Sequence, residues 1–203
     1  MKRVMQEENR IQTKRTQDNG LLSCLTASYR NKKIVLLYTN AEQTQIFSAG
    51  IISEIFDNEV IISHYLPNGK YDGYIVKRIS DIYKIETDSK YAEKIEILSK
   101  INETKHDQLC RVKENGFSTL LTYAYETKKV VTIELVDSGN NDAIGFVQQI
   151  NDKYCTISML DDYGENDGVS VFNIEDISHL SCDGDDEFVL KQLHDTLYVN
   201  QAK

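Results

Sequence analysis

An internal repeat constrains the fold of this chain more than any other feature of its sequence. The stretch DGYIVKRISDI at residues 72–82 shares its spacing of Asp-Gly, alternating apolar residues and Asp-Ile with DGVSVFNIEDI at residues 167–177. The same shift, or one residue more, aligns DNGLLSCLTASYRNKKIVLL with ENGFSTLLTYAYETKKVVTI. Since Gly, Asp and a Lys-Lys pair recur in order, the pattern predicts a duplicated structural unit.

Each copy has the same order of local signals. An apolar stripe after Asn-Gly predicts a short helix, and the β-branched runs KIVLLY and VVTIEL predict the first strands. A longer segment with a glycine, Gly50 or Gly145, precedes a further strand, a polar loop and a fourth strand. A fifth strand follows, and apolar residues spaced three to five apart predict a helical tail.

The strand-two glycines point to sharply bent strands, since a residue without Cβ is tolerated where a strand bends in a small barrel. We therefore predict a mainly β protein with helices: two tandem five-stranded SH3-like or Sm-like barrels, each closed and each with an N-terminal helix and a C-terminal helical tail. The predicted organisation is a polar N-terminal segment (1–18), a first helix-plus-barrel unit (19–100) and a second unit (101–203).

A first motif in both copies and a second motif in the first copy resemble those of the Sm-like (LSm and Hfq) family of small β-barrels. Gly50 followed by FDN at residues 56–58 is similar to the first family motif, although the Gly to Asp distance is one residue longer. Lys77 and Arg78 resemble the basic residues before strand five, whereas VFNIED in the second copy has no cation. The resemblance covers about 55 residues of each copy.

The resemblance implies a function as well as a fold. Sm-like proteins bind RNA bases between the loops after strands two and four, so by position Asn58 and Arg78 would contact a base and Lys77 a phosphate. Barrels of this family pair through strand edges, which implies a homo-oligomer. Many unrelated small barrels bind peptides instead, and a protein partner therefore stays open.

Tyrosines and cations are clustered in strands three to five of the first copy. Amphipathic Tyr beside Lys or Arg suits a single-stranded nucleic acid or a peptide groove. The candidate partner-binding or nucleic-acid-binding residues are Asn58, Lys70, Tyr74, Lys77 and Arg78.

Charge is distributed unevenly along the chain, whose net charge is −9. Residues 1–100 hold 15 Lys and Arg against 13 Asp and Glu, while residues 101–203 hold 8 against 19. Phosphate contacts need cations, so an RNA partner is expected to contact the first half.

No motif for catalysis or for a cofactor stands out. The four His residues lack metal-ligand spacing, and the acidic runs DDYGENDG and CDGDDE lack the ligand pattern of a calcium loop. Four scattered cysteines and the absence of a long apolar run favour a cytoplasmic protein with no membrane segment.

We predict a non-enzymatic binding or scaffold protein that self-associates or docks a protein partner. The alternatives are RNA binding by the first barrel and, more remotely, an enzyme of unknown type.

Overall fold

The computed structural model describes residues 20–102, 109–136, 138 and 142–201. The predicted polar segment 1–18 lies outside the described residues. None of the helices in the described ranges is both long enough and apolar enough to cross a membrane.

The two halves repeat one order of elements: a helix, four strands, a 3₁₀ turn, a fifth strand and a second helix. The first half contains α1 (20–31), β1 (Ile34–Tyr38), β2 (Ser48–Ile55), β3 (Glu59–Tyr65), β4 (Tyr71–Arg78), a 3₁₀ turn (Ile79–Asp81), β5 (Lys84–Thr87) and α2 (Lys90–Ile101). The second half contains α3 (Gly116–Thr127), β6 (Val130–Leu135), β7 (Ala143–Ile150), β8 (Tyr154–Leu160), β9 (Asn166–Asn173), a 3₁₀ turn (Ile174–Asp176), β10 (Ile177–Cys182) and α4 (Asp185–Gln201).

Side-chain and backbone features mark the ends of these helices. The Asn115 side chain caps α3 by accepting a hydrogen bond from the backbone N–H of Ser118. Lys32 and Lys128 both follow their helices in the left-handed backbone region, with φ of 51° and 53°. The next lysine in each copy, Lys33 or Lys129, forms an ion pair with the aspartate before the second helix, Asp88 or Asp183.

Gly50 and Gly145 occupy equivalent places in β2 and β7. A Cβ added to Gly50 would overlap the carbonyl oxygen of Ser63, and one added to Gly145 would overlap that of Ser158. Both strands also carry an irregular step in register shortly after the glycine. The close approach of the neighbouring strand therefore requires glycine at both positions.

The ten strands form one antiparallel sheet in the order β5-β1-β2-β3-β4-β10-β6-β7-β8-β9. The prediction of two closed five-stranded barrels is wrong. Closing the first barrel would require β4 to pair with β5, but β4 pairs instead with β10 of the second half. The hydrogen-bonding edge of β4 is therefore satisfied by the other half, which joins both halves into a single open sheet.

The hydrophobic core crosses the boundary between the halves. Its largest cluster packs Phe56, Ile61 and Val76 of the first half with side chains such as Phe117 and Leu180 of the second. A second cluster, around Leu25, lies within the first half. Burial of shared apolar area thus supports the strand pairing between β4 and β10.

Candidate functional site: the junction between the halves

The junction is built on the pairing of β4 with β10. Val76 lies opposite Leu180, Ile75 opposite Ser181, and Tyr74 opposite Cys182. Tyr74 and Val76 are 2% and 0% exposed, because the second half covers this edge of the first. Tyr74, predicted from the sequence as a binding residue, is therefore a core residue.

Aromatic rings extend the junction on one side of β4. The ring of Tyr74 contacts those of Tyr71 and Tyr123 edge to face, with centroids 5.9 and 5.7 Å away. Burial raises the pKa of the Tyr71 phenol, so this hydroxyl stays protonated. The clustered tyrosines thus pack the two halves together, with the Tyr74 ring enclosed in the core.

Arg78 reaches across the end of β4 to the second half. Its Nη2 donates hydrogen bonds to the carbonyl oxygens of Glu175 and Ile177, at 2.6 and 2.7 Å. Its guanidinium also lies 5.2 Å from the centre of the Phe117 ring. The Arg78 side chain therefore links the end of β4 with the 3₁₀ turn that precedes β10.

Lys77 and His179 meet inside the junction. The Lys77 ammonium lies 3.3 Å from Nδ1 of His179, so a neutral imidazole accepts its hydrogen bond. Burial and the adjacent ammonium lower the pKa of His179 to about 3, and burial also lowers the pKa of Lys77. The structure thus places Lys77 between the halves, in contact with His179.

Lys70 and Asp72, in the β3–β4 hairpin, bind the start of α4. Lys70 forms an ion pair with Asp185 at 2.8 Å, and the backbone N–H of Asp185 donates to the Asp72 carboxylate. Asp72 also binds Nδ1 of His64 at 3.0 Å. These hydrogen bonds, that of His64 foremost, lower the pKa of Asp72.

Helix α3 begins against the first half. The Glu59 carboxylate accepts a hydrogen bond from the backbone N–H of Gly116 at 2.7 Å, where the positive end of the helix dipole favours an anion. In the segment before α3, the Arg111 guanidinium lies 4.4 Å from the centre of the Phe56 ring of the first half. Glu59, like His179 and Asp185, is a junction residue that sequence reasoning missed.

Asn58 is the one predicted site residue that the structure places outside these contacts between halves. It is exposed in the β2–β3 turn, where its carbonyl accepts from the backbone N–H of Ile79. It borders a groove of about 740 Å³ that Leu22, Arg78 and Tyr83 also line. Asp57 and Glu59 add two acids to this groove, so its charge does not favour a phosphate backbone.

The strands at the two outer edges of the sheet are the repeat counterparts of the two strands that pair at the junction. The position of β4 in the first half is taken by β9 in the second, and the position of β10 is taken by β5 in the first. Val169 and Val171 of β9 match Tyr74 and Val76 in the repeat, yet they are 57% and 63% exposed. Among the described residues, the same backbone edge is thus covered at the junction and open at β9.

Two matching glycines show the same contrast. Gly73 and Gly168 both have positive φ, 74° and 87°. A Cβ on Gly73 would overlap backbone atoms of Cys182 to Gly184, whereas no atom of the described residues lies within 4 Å of a Cβ on Gly168. The space beside Gly168 is therefore open where its counterpart is filled by the other half.

The described residues contain no group of three or more His, Cys, Asp or Glu that could hold a metal ion. Comparison of the chain with protein-family models, with curated proteins and with solved structures finds no match. The architecture itself defines the class: a mainly β protein with helices, whose two similar halves are joined into one antiparallel sheet by strand pairing. The junction and its two open counterparts are the features from which a function can be argued.

Proposed function

We propose that the protein is a non-enzymatic, cytoplasmic scaffold that self-associates through the outer edges of its sheet. The observation that carries this proposal is the contrast between β4 and β9. One edge is buried by a strand of the other half, and the equivalent edge is left with exposed valines. Strand β9 of one copy pairs with β5 of the next, as β4 pairs with β10 within the chain.

The repeat supplies the register of this contact. Leu180, Ser181 and Cys182 match Ile85, Glu86 and Thr87 of β5, so Val171 lies opposite Ile85 and Val169 opposite Thr87 of the neighbouring copy. Both are pairs of β-branched side chains, which stabilise antiparallel strands. A head-to-tail contact of this kind leaves one free edge at each end, so it continues until it closes into a ring or grows as a filament.

Other sequence expectations fit this proposal to different degrees. The cysteines Cys24, Cys110, Cys155 and Cys182 are free, as expected in a reducing cytoplasm. Docking of a different protein on the same edges is the alternative within the scaffold class. RNA binding by the first half is less well supported, because Arg78 binds backbone carbonyls of the second half and Lys70 is paired with Asp185.

Val171→Asp tests the proposed self-association. A carboxylate at the centre of the β9 edge must be desolvated against Ile85 of the neighbour, so we expect association to weaken by at least ~30-fold. The measurement is molar mass by light scattering over a range of protein concentrations. The wild type is expected to gain mass with concentration and the variant to keep the mass of one chain.

Val189→Asp is the matched control, since Val189 is 52% exposed on α4 and lies outside both edges. It is expected to associate like the wild type. A wild-type protein that stays monomeric at every concentration contradicts the proposal, as does a Val171→Asp variant that associates normally. Because Val171 is exposed in the single chain, the unfolding midpoint of the dilute protein is expected to change little.

A further inference from the structure

Two positions that form an ion pair at the junction have counterparts at the outer edges, and the charges of these counterparts are reversed. Within the chain, cationic Lys70 of the β3–β4 hairpin pairs with anionic Asp185 at the start of α4. In the repeat, Lys70 matches Glu165 and Asp185 matches Lys90. The hairpin next to the open β9 edge is therefore acidic, and the helix start next to the open β5 edge is basic.

The backbone around these positions is the same in both halves. Gly69 and Gly164 have φ of 78° and 79°, and each lies against its following helix, at Leu98 or Leu193. Asp88 and Asp183, just before α2 and α4, also share positive φ. Glu165 and Lys90 are thus presented in the same geometry as Lys70 and Asp185.

The charges of the reversed pair are not paired with each other inside the described part of the single chain. Glu165, Asp167 and Lys90 are exposed, and in the described part of the chain none of their side chains forms an ion pair. At the junction, the counterpart of Asp167, Asp72, accepts a hydrogen bond from the first N–H of α4. Asp167 therefore matches a residue that binds the start of the neighbouring helix.

We propose that Glu165 and Asp167 of one copy bind Lys90 and the N-terminal N–H groups of α2 in the next copy. This inference rests on the proposed self-association and names the contacts that orient it. The ion pair is Glu165 with Lys90, and Asp167 accepts from the backbone at the helix start, where the helix dipole favours an anion. The charges at this contact determine which edge of the next copy can bind.

Charge reversal also selects which edges can meet. If the β9 hairpin approached the α4 end of another copy, Glu165 would face Asp185, and two carboxylates would repel. If the β3–β4 hairpin approached the α2 end, Lys70 would face Lys90. The β9 hairpin is therefore repelled by the α4 end, and the β3–β4 hairpin is repelled by the α2 end. Copies are thus expected to join only with the β9 edge of one copy against the β5 edge of the next.

Two single reversals and their mixture test this pairing. Glu165→Lys places two lysines at every contact, and Lys90→Glu places two acids there, so each variant alone is expected to associate about tenfold more weakly at low salt. A mixture of the two variants is expected to regain association. In half of the mixed contacts the new lysine of one variant faces the new glutamate of the other, and the other half keep the wild-type pair.

The measurement is light scattering at low and high salt, with Glu126→Lys and Lys100→Glu as matched reversals at exposed helix positions outside the edges. High salt is expected to reduce the difference between single variants and wild type. Single variants that associate like the wild type overturn the pairing while the scaffold proposal stands, and so does a mixture that stays dissociated. A monomeric wild type instead overturns the scaffold proposal itself.

Discussion

Gly73→Ala is expected to lower the free energy of unfolding by roughly 3 kcal/mol or more, because the new methyl group meets the backbone of the other half. An added Cβ would overlap the carbonyl oxygen of Cys182 and crowd the backbone of Asp183 and Gly184. Backbone atoms of a packed segment cannot move aside alone, so the junction must shift or open. Positive φ at this position adds about 1 to 2 kcal/mol for any residue with a Cβ.

Gly168→Ala is the matched control because it carries the backbone strain without the collision. Its φ is 87°, and within the ranges that the structure describes no atom lies within 4 Å of the added Cβ. We expect a loss of about 1 to 2 kcal/mol. Both variants are measured by urea denaturation at a concentration where the chain is monomeric. Equal losses in the two variants would show that the contact with the second half does not explain the requirement for glycine.

The same control variant has a second readout. In the proposed contact between copies, the backbone of residues 87–89 of the neighbour occupies the open space beside Gly168, as residues 182–184 do beside Gly73. Gly168→Ala is therefore expected to weaken self-association, although it lowers the stability of the single chain less than Gly73→Ala does. Normal association of this variant would contradict the register proposed for β9 and β5.

Acid is expected to destabilise the junction through His179. The ordinary pKa of histidine is 6.5, and burial next to Lys77 lowers the pKa of His179 to about 3. Below pH 6.5 the unfolded chain takes up a proton that the folded chain does not take up until about pH 3. The stability of the fold is thus retained above pH 6.5 and is lost as the pH falls through this window.

His179→Gln removes this titrating group and keeps a side chain that can accept a hydrogen bond from Lys77. Between pH ~6 and ~4 the wild type is expected to lose about 2 kcal/mol more stability than the variant. The measurement is the free energy of unfolding from urea denaturation at each pH. Identical pH dependence of the two proteins would contradict a neutral His179 with a lowered pKa.

Lys77→Met provides an independent check on the same site. The Lys77 ammonium contributes to the low pKa of His179, but burial is the larger cause. Removing the ammonium is therefore expected to raise the pKa of His179 partway and to reduce the acid loss without abolishing it. The lowered pKa of Asp72 adds a separate loss at still lower pH, since the folded chain holds this carboxylate charged by hydrogen bonds.

Local features were well predicted from the sequence. The apolar spacing from Tyr91 to Ile101 predicted a helical tail, and α2 covers Lys90–Ile101. The equivalence of Gly50 and Gly145 followed from the repeat, and both lie against the carbonyl of the matching serine on the next strand. These features depend on residues close in sequence or on one neighbouring strand, and for that reason a pattern can reveal them.

The roles of the candidate binding residues were harder to predict from the sequence. A lysine or arginine in a strand can contact a phosphate, a carboxylate or a carbonyl oxygen, and only the surroundings select among them. Arg78 binds two carbonyls and Lys70 binds Asp185, both from residues about a hundred positions away. One signal was present in the sequence: the positions at which the second copy departs in charge from the first, such as Glu165 for Lys70, mark the junction and its open counterpart.

The order of elements, the positions of the glycines and the repeat itself were determined by the sequence alone, since each depends on local propensity and spacing. The joining of the halves was decided only in the tertiary structure. Every strand edge offers the same backbone donors and acceptors, so β4 could have paired with β5 and closed a barrel. Side chains distant in sequence, Arg78 and the core around Phe117 among them, made β10 the favoured partner instead.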